Sequence, residues 1–276
     1  MEINNHRLNA DNVDWRESPN QGSKLVNGQP DSIIIHYTAG SSAESSVKSL
    51  SNPKQKVSAH LVVGRKGDIY QLVPFDTVAW HAGRSSWEGR YGYNKYSIGI
   101  EIDNAGILKP NGNGNYLSWF NRVYTPDEVV KATHRNETTA QYWHRYSEQQ
   151  IDTVFEICET LYESYPIKEL LGHEEISPSR KTDPGPAFPL DRLRMRLFDN
   201  DRQEEKPDDQ IPLLNKVARV TAPLLNIRSG PDPSFDKVAE PLKQNSQVEI
   251  IDKDGSWVKV RYTTEGWVSA KYLSKL

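Results

Sequence analysis

A single cysteine, Cys158, among 276 residues excludes an intrachain disulfide, a CxxC metal knot and any thiolate-rich cluster. Any metal must therefore be held by imidazole and carboxylate. No apolar run approaches the roughly 18 residues that a helix needs to cross a bilayer, so no membrane segment is expected. The N-terminus, MEINNHRLNADNVDWRESPN, lacks a basic start followed by an apolar stretch, and no signal peptide is visible. As written the chain reads as cytoplasmic, or as periplasmic or extracellular where a leader has been removed. An excess of one charge is missing too: 34 Lys and Arg face 37 Asp and Glu, for a formal net charge of −3. Such a balance gives no global attraction to phosphate backbones and excludes nucleic acid as the main partner. What is present suffices for a core. Hydrophobic residues make up 36% and aromatic residues 9%, which excludes wholesale disorder, and the length suits one large domain plus a small one.

The clearest seam is DNDRQEEKPDDQIP, at about residues 199–212, charged, with two prolines and only Ile211 apolar. It cannot contribute much to a core and reads as a linker. The expected organisation is a body over 1–200, a linker over 201–213 and a tail domain over 214–276. The tail carries ten Lys and Arg against seven Asp and Glu, whereas the rest is acidic overall. In the body, Ser32–Tyr37 is a β-branched run of the kind buried on both faces. Residues 57–63 and 69–73 flank Gly64-Arg65-Lys66-Gly67-Asp68 and predict a hairpin. Ser97–Ile102 predicts another strand, and residues 42–51 open like a helix. The best helix signal runs from Ser147 to about Tyr165. Ser147 with Gln150 forms a capping box, and Ile151, Val154, Phe155, Cys158, Leu161 and Tyr162 follow a buried stripe. Cys158 on that stripe is a packed core thiol. Strands interspersed with helices give an α/β body.

Residues 106–146 break the pattern with Gly112, Gly114, Trp119, Phe120, Tyr124, Tyr142, Trp143 and Tyr146. Too aromatic for disorder, the segment is expected to be a loop lining the site, with an insertion packed on the back of the domain as the alternative. The tail reads as short strands around 225–231, 248–251, 257–260 and 266–268, a small β-barrel.

With thiols excluded, chemistry falls to His and carboxylate at strand ends and turns. His36 ends an apolar strand, His173 follows Leu171-Gly172, and Asp183 opens a turn enforced by Pro184 and Pro186. Two His and one carboxylate, with a fourth position for water, is the composition of a catalytic zinc site. Taken singly, each residue has a plainer reading as a hydrogen-bonded strand end or a turn former. Spacing alone does not choose between the two.

The segments IIIHYTAG, SAHLVVGRKGDIYQLVP, AWHAG, YSIGIEIDN and LGHEEISPSRKTDPGPAF, in that order over residues 30–190, resemble the zinc-dependent N-acetylmuramoyl-L-alanine amidases of the AmpD and peptidoglycan-recognition-protein type. The resemblance implies a central mixed β-sheet flanked by helices. It also implies Zn²⁺ on His36, His173 and Asp183, with Glu101 as the catalytic glutamate and Lys181 facing the reacting carbonyl. The substrate would be peptidoglycan or muropeptides, cut between N-acetylmuramic acid and L-Ala. Glu101 could instead hold a ligand His from behind. His60, Trp80, His81, Arg84 and Asn104 lie in the shared motifs and are candidate substrate contacts. His60 and His81 have packed supporting roles as the alternative, and Trp80 either stacks on sugar or fills the core. Arg84 is a two-pronged donor suited to a carboxylate.

Residues 225–231, 257–260, 266–268 and 272–273 resemble bacterial SH3-like domains, which implies contact with the cell wall or with the catalytic domain. Trp257 and Trp267 either meet the wall or build the barrel's core. Two further readings stay open: a cytosolic amidase recycling anhydromuropeptides, and a peptidoglycan-binding receptor without turnover. The intact ligand set speaks against the receptor.

Overall fold

Ile- and Val-rich runs build the six-stranded sheet at the centre of the body. In chain order its strands are β1 (Val13–Trp15), β2 (Ser32–Tyr37), β3 (Leu61–Val63), β4 (Ile69–Gln71), β5 (Ser97–Ile102) and, near the end of the body, β11 (Glu169–Gly172). The computed structural model describes residues 1–198, 216–220, 224–231, 235–243, 245–254 and 257–262. The chain divides into two compact units, 1–203 and 204–276. The expected linker, the expected strand at 266–268 with Trp267, and residues 272–273 lie outside the described residues.

The sheet runs in the order β11-β2-β5-β3-β4-β1. The pairs β11–β2, β2–β5 and β5–β3 are parallel, and β3–β4 is the antiparallel hairpin that the Gly64–Asp68 turn predicts. Side chains alternate across a strand. On β2 and β5, Ile33, Ile35, Ile98, Ile100 and Ile102 therefore pack on one face, leaving His36, Gly99 and Glu101 for the other. The apolar face is sealed by helix α2 (Glu148–Ser164) through Val154, Phe155, Ile157, Cys158 and Leu161. The capping box of Ser147 and Gln150 forms, and Cys158 is fully buried, with burial pushing its thiol well above the usual range. Helix α1 (Ala43–Leu50), N-capped by Ser42, follows β2, and a single turn α3 (His173–Ile176) follows β11. A last helix, α4 (Leu190–Phe198), closes the body. The strand expected over 57–63 is shorter in the structure, beginning only at Leu61.

Residues 106–146 are not a loop. They form a second, antiparallel sheet of β6 (Ile107–Pro110), β7 (Tyr116–Leu117), β8 (Val123–Tyr124), β9 (Val129–Thr133) and β10 (Ala140–His144), in the order β8-β7-β6-β10-β9. The aromatic residues that argued against disorder give this sheet its own core, in which Leu108, Tyr124 and Val129 meet Tyr116, Phe120 and Tyr142.

The tail unit contains β12 (Lys216–Arg219), β13 (Leu224–Arg228), β14 (Lys237–Lys243), β15 (Gln247–Asp254) and β16 (Trp257–Arg261). Its described core is Val220, Leu242 and Val248 with Ala218, Ile227 and Val260. Trp257 is half-buried and outside that cluster, so it is not the core residue that one reading expected.

Trp143 ties the second sheet to the turn at Gly185. It is 1% exposed, stacks on His134 at 5.7 Å between centroids, donates its Nε1–H to the Ala132 carbonyl, and lies where a Cβ on Gly185 would come within 2.8 Å of it. Trp143→Ala should cost about 3–5 kcal/mol in denaturant unfolding. Amide exchange should accelerate at Asp183 and Gly185 in this variant. Unchanged protection there would show that the ring does not brace that turn.

Candidate metal centre and catalytic groove

Three adjacent parallel strands deliver the site from their carboxyl ends, where open α/β sheets place their ligands. His36 is the penultimate residue of β2, Glu101 is its register partner on β5, and His173 follows the last residue of β11. The Asp183 turn returns to this point, its backbone carbonyl accepting the Glu174 N–H. His36, His173 and Asp183, separated by up to 147 residues, thus converge. His36 Nδ1, His173 Nδ1 and Asp183 Oδ2 lie 2.9 Å from one another, and all three side chains are buried.

The outer hydrogen bonds fix which nitrogen carries each proton. Ser97 donates its only hydroxyl proton to the Tyr93 carbonyl at 2.6 Å. Its lone pair then accepts from His81 Nε2–H at 3.3 Å. His81 Nδ1 is left as an acceptor and takes His36 Nε2–H at 3.0 Å. His36 Nδ1 is consequently a bare lone pair. His173 Nε2 donates to the Ala82 carbonyl at 3.2 Å, which bares its Nδ1 as well. Burial, reinforced by His173, pushes His36 down to about 4, so the imidazole is neutral at physiological pH, the form that ligates. Two bare imidazole nitrogens and a carboxylate oxygen aimed at one point, away from water, fit a divalent cation.

Glu101 sits beside this trio. Its Oε2 is fully buried with no hydrogen-bond partner, and its carboxyl lines a cavity of about 380 Å³. Burial, with the nearby Asp183 charge adding, raises its pKa well above the usual range, while Lys181 pulls the other way. A carboxylate so poised accepts a proton readily. Lys181 is partly exposed and close enough for its charge to act on both Glu101 and His36.

The candidate substrate contacts divide. His60 has no exposed surface: its Nδ1 accepts the Gly99 N–H and its Nε2 donates to the Thr77 carbonyl. It steadies the strand that carries Glu101. Asn104 is equally sealed, donating to the His144 carbonyl and accepting the Gly106 N–H. Buried as they are, neither offers a surface to substrate: the expectation for Asn104 is corrected, and His60 takes the packed supporting role given as its alternative. His81 is 9% exposed and is spent on His36, the supporting role given as its alternative. Trp80 is half-buried beside Gly22 and Arg84 is exposed. Two residues that sequence reading missed buttress the ligand loops. Glu174 accepts from His134 Nε2–H at 2.7 Å and from the Gly185 N–H at 3.0 Å. The only signal was the second glutamic-acid-rich step after His173.

A family model described as N-acetylmuramoyl-L-alanine amidase matches residues 26–186, more than half of the chain. The chain belongs to this amidase family. A second model, the bacterial SH3 domain, matches residues 223–274. The amidase relatives include the 1,6-anhydro-N-acetylmuramyl-L-alanine amidase AmpD of Escherichia coli, 34% identical over 51% of this chain and 58% of that one. The N-acetylmuramoyl-L-alanine amidase AmiD of Escherichia coli is 30% identical over 68% of this chain and 64% of its own. A solved complex of AmiD with anhydro-N-acetylmuramic acid-L-Ala-D-gamma-Glu-L-Lys overlays with a TM-score of 0.46 at 30% identity, covering 69% of this chain and 61% of that one. The matched stretch spans less than two thirds of either curated relative.

His81→Ala should weaken divalent-metal affinity about 10- to 100-fold, measured by competition with a chromogenic chelator. Gly99→Ala should do the same, since its Cβ would stand 2.4 Å from the His81 ring. Unaltered affinity in both would show that the tautomer of His36 is set elsewhere.

Proposed function

We propose that the body hydrolyses the amide between the lactyl carboxyl of N-acetylmuramic acid and the amino group of L-Ala in peptidoglycan, with Zn²⁺ held by His36, His173 and Asp183. The observation that carries the reading is the buried, unpartnered Oε2 of Glu101, on the strand beside His36 and in register with it. When bound, the ion supplies Lewis acidity at the scissile carbonyl and lowers the pKa of water at the site. Glu101 takes the proton of the attacking water onto its unpartnered oxygen and returns it to the leaving amine. Its raised pKa suits both halves of that transfer. Lys181 offsets the negative charge that develops on the carbonyl oxygen. Trp80 and Arg84 are assigned as further substrate contacts, Arg84 as a partner for a stem-peptide carboxylate. The complete ligand set favours turnover over a receptor. The SH3 domain favours the polymer over soluble recycled fragments, since a tethered wall-binding module raises the enzyme's local concentration on an insoluble substrate.

Mass spectrometry of digested sacculi should show stem peptides with a free L-Ala amino terminus and glycan with intact lactyl groups. A cut within the sugar chain or the peptide would overturn the assignment. Activity should vanish on chelation and return with Zn²⁺. Glu101→Gln should lower kcat by at least about 10²-fold while retaining metal, and loss of metal in parallel with activity would move Glu101 to a supporting role. Lys181→Ala should lower kcat about 10²- to 10³-fold with metal retained. An unchanged kcat removes it from the reaction.

A further inference from the structure

The cavity that holds Glu101 has a second wall that the chemistry above does not use. Trp119, at the tip of the second sheet, is 74% exposed, yet it is not loose. Its Nε1–H donates to the Ala39 carbonyl at 2.7 Å, and Phe120 packs edge-on against the indole at 5.5 Å between centroids. Ala39 lies three residues after His36 and adopts a left-handed backbone with φ of 48°, a conformation that costs a non-glycine residue and that collects at functional sites. A large aromatic face is thereby fixed in water at the rim of the groove, with little ordering left for a ligand to bring about. The same cavity is lined by Ser41, Ser45 and Ser49, exposed residues at four-residue spacing just before and along α1, with Ser45 Oγ donating to the Ser42 carbonyl and 3.1 Å from Ser41 Oγ. A further cavity of about 550 Å³ opens where Trp119 meets β6 and β7.

The lining decides the chemistry of the ligand. Beside the serines and the indole, Glu101 is the only charged residue that lines its cavity among the described residues, and no described Lys or Arg lines it. A stem peptide, with its carboxylates, would meet no cation there and one acid. A pyranose presents an apolar C–H face to stack on an indole and neutral hydroxyl and acetamido groups to meet serine hydroxyls.

We propose that Trp119 and the serine row of α1 form a glycan subsite. It would hold an N-acetylhexosamine ring of the strand that adjoins the reacting muramyl residue. The assignment rests on the proposed amidase reading for its place in the reaction, but the sugar contact stands on the groove itself. It makes a sugar chain, rather than a lone muramyl peptide, the preferred substrate.

Two measurements on the full chain test it. For soluble peptidoglycan strands of several disaccharides against a single-sugar muramyl dipeptide, the ratio of kcat/KM values should fall at least tenfold in Trp119→Ala. Trp119→Phe, which keeps a ring and loses the Nε1–H, should recover most of the ratio. Equal losses on both substrates, or rescue failing in the Phe variant, would show that Trp119 acts only by holding the Ala39 loop and would overturn the subsite. Calorimetric titration with tri-N-acetylchitotriose should show saturable binding to the wild-type chain and at least a tenfold loss of affinity in Trp119→Ala. No binding, or binding indifferent to the substitution, also overturns it. A chain that binds the trisaccharide through Trp119 yet hydrolyses neither substrate keeps the subsite and sinks the amidase reading instead.

Discussion

The site depends on keeping a lone pair bare on His36 Nδ1. An imidazole has two nitrogens and one proton in its neutral form, so the proton must be pinned on the far side for the near side to ligate. The chain does this with a relay in which each member has a single allowed role. Ser97 is committed to the Tyr93 carbonyl, His81 is committed to Ser97, and His36 is committed to His81. Because burial pushes His81 well below its usual range, with His36 and His60 reinforcing the effect, a second proton does not enter the relay and reverse it. The relay needs room on the sheet, and Gly99 supplies it: a Cβ there would stand 2.4 Å from the His81 ring.

The second sheet extends this logic to the other two members of the candidate trio, His173 and Asp183. His173 begins a four-residue turn of helix and Asp183 sits in a turn, neither of which is rigid by itself. Glu174 ties them together by accepting from the Gly185 N–H and from His134, and His134 is held in turn under Trp143. A buried carboxylate bonded on both sides is worth more than the separate contacts suggest, because each bond polarises the next in a low-dielectric setting. The sheet at 107–144 thus does two jobs. One end braces the ligand turns, and the other presents Trp119 to the groove.

Much of this was legible in the residues, and the failures have physical causes. The Ile-rich runs of β2 and β5, the Gly-containing hairpin and the capped stripe of α2 are local signals, and each element forms where its pattern lies. The metal trio was legible as residue types at strand ends and turns, but only the resemblance joined positions separated along the chain. The second sheet was missed as structure because its strands are two to five residues long and interrupted by Asn and Gly. Short strands carry little alternation to detect. His60 and Asn104 were misjudged because a polar residue in a shared motif looks the same from sequence whether it meets substrate or satisfies a backbone. Only the partners of their side-chain atoms distinguish the two cases. Strand β14 was missed because Pro241 lies within it, and proline ordinarily demotes a strand.

Glu101 shows why the role of a residue is settled by what it lacks. Nearly all buried polar atoms in folded proteins find partners, and here even the ligands' outer nitrogens do. Leaving Oε2 unpartnered costs about 1–3 kcal/mol, in a body where Glu174 and Gln150 both find buried partners. A carboxylate that braced a ligand would be found bonded to the outer nitrogen of that imidazole. Both of those nitrogens are occupied, one by His81 and the other by the Ala82 carbonyl. That leaves the carboxyl turned to the groove, with Asp183 discouraging its charge and Lys181 restoring part of it. An unpartnered carboxyl whose hold on a proton burial has strengthened is suited to moving a proton and poorly suited to bracing a ligand.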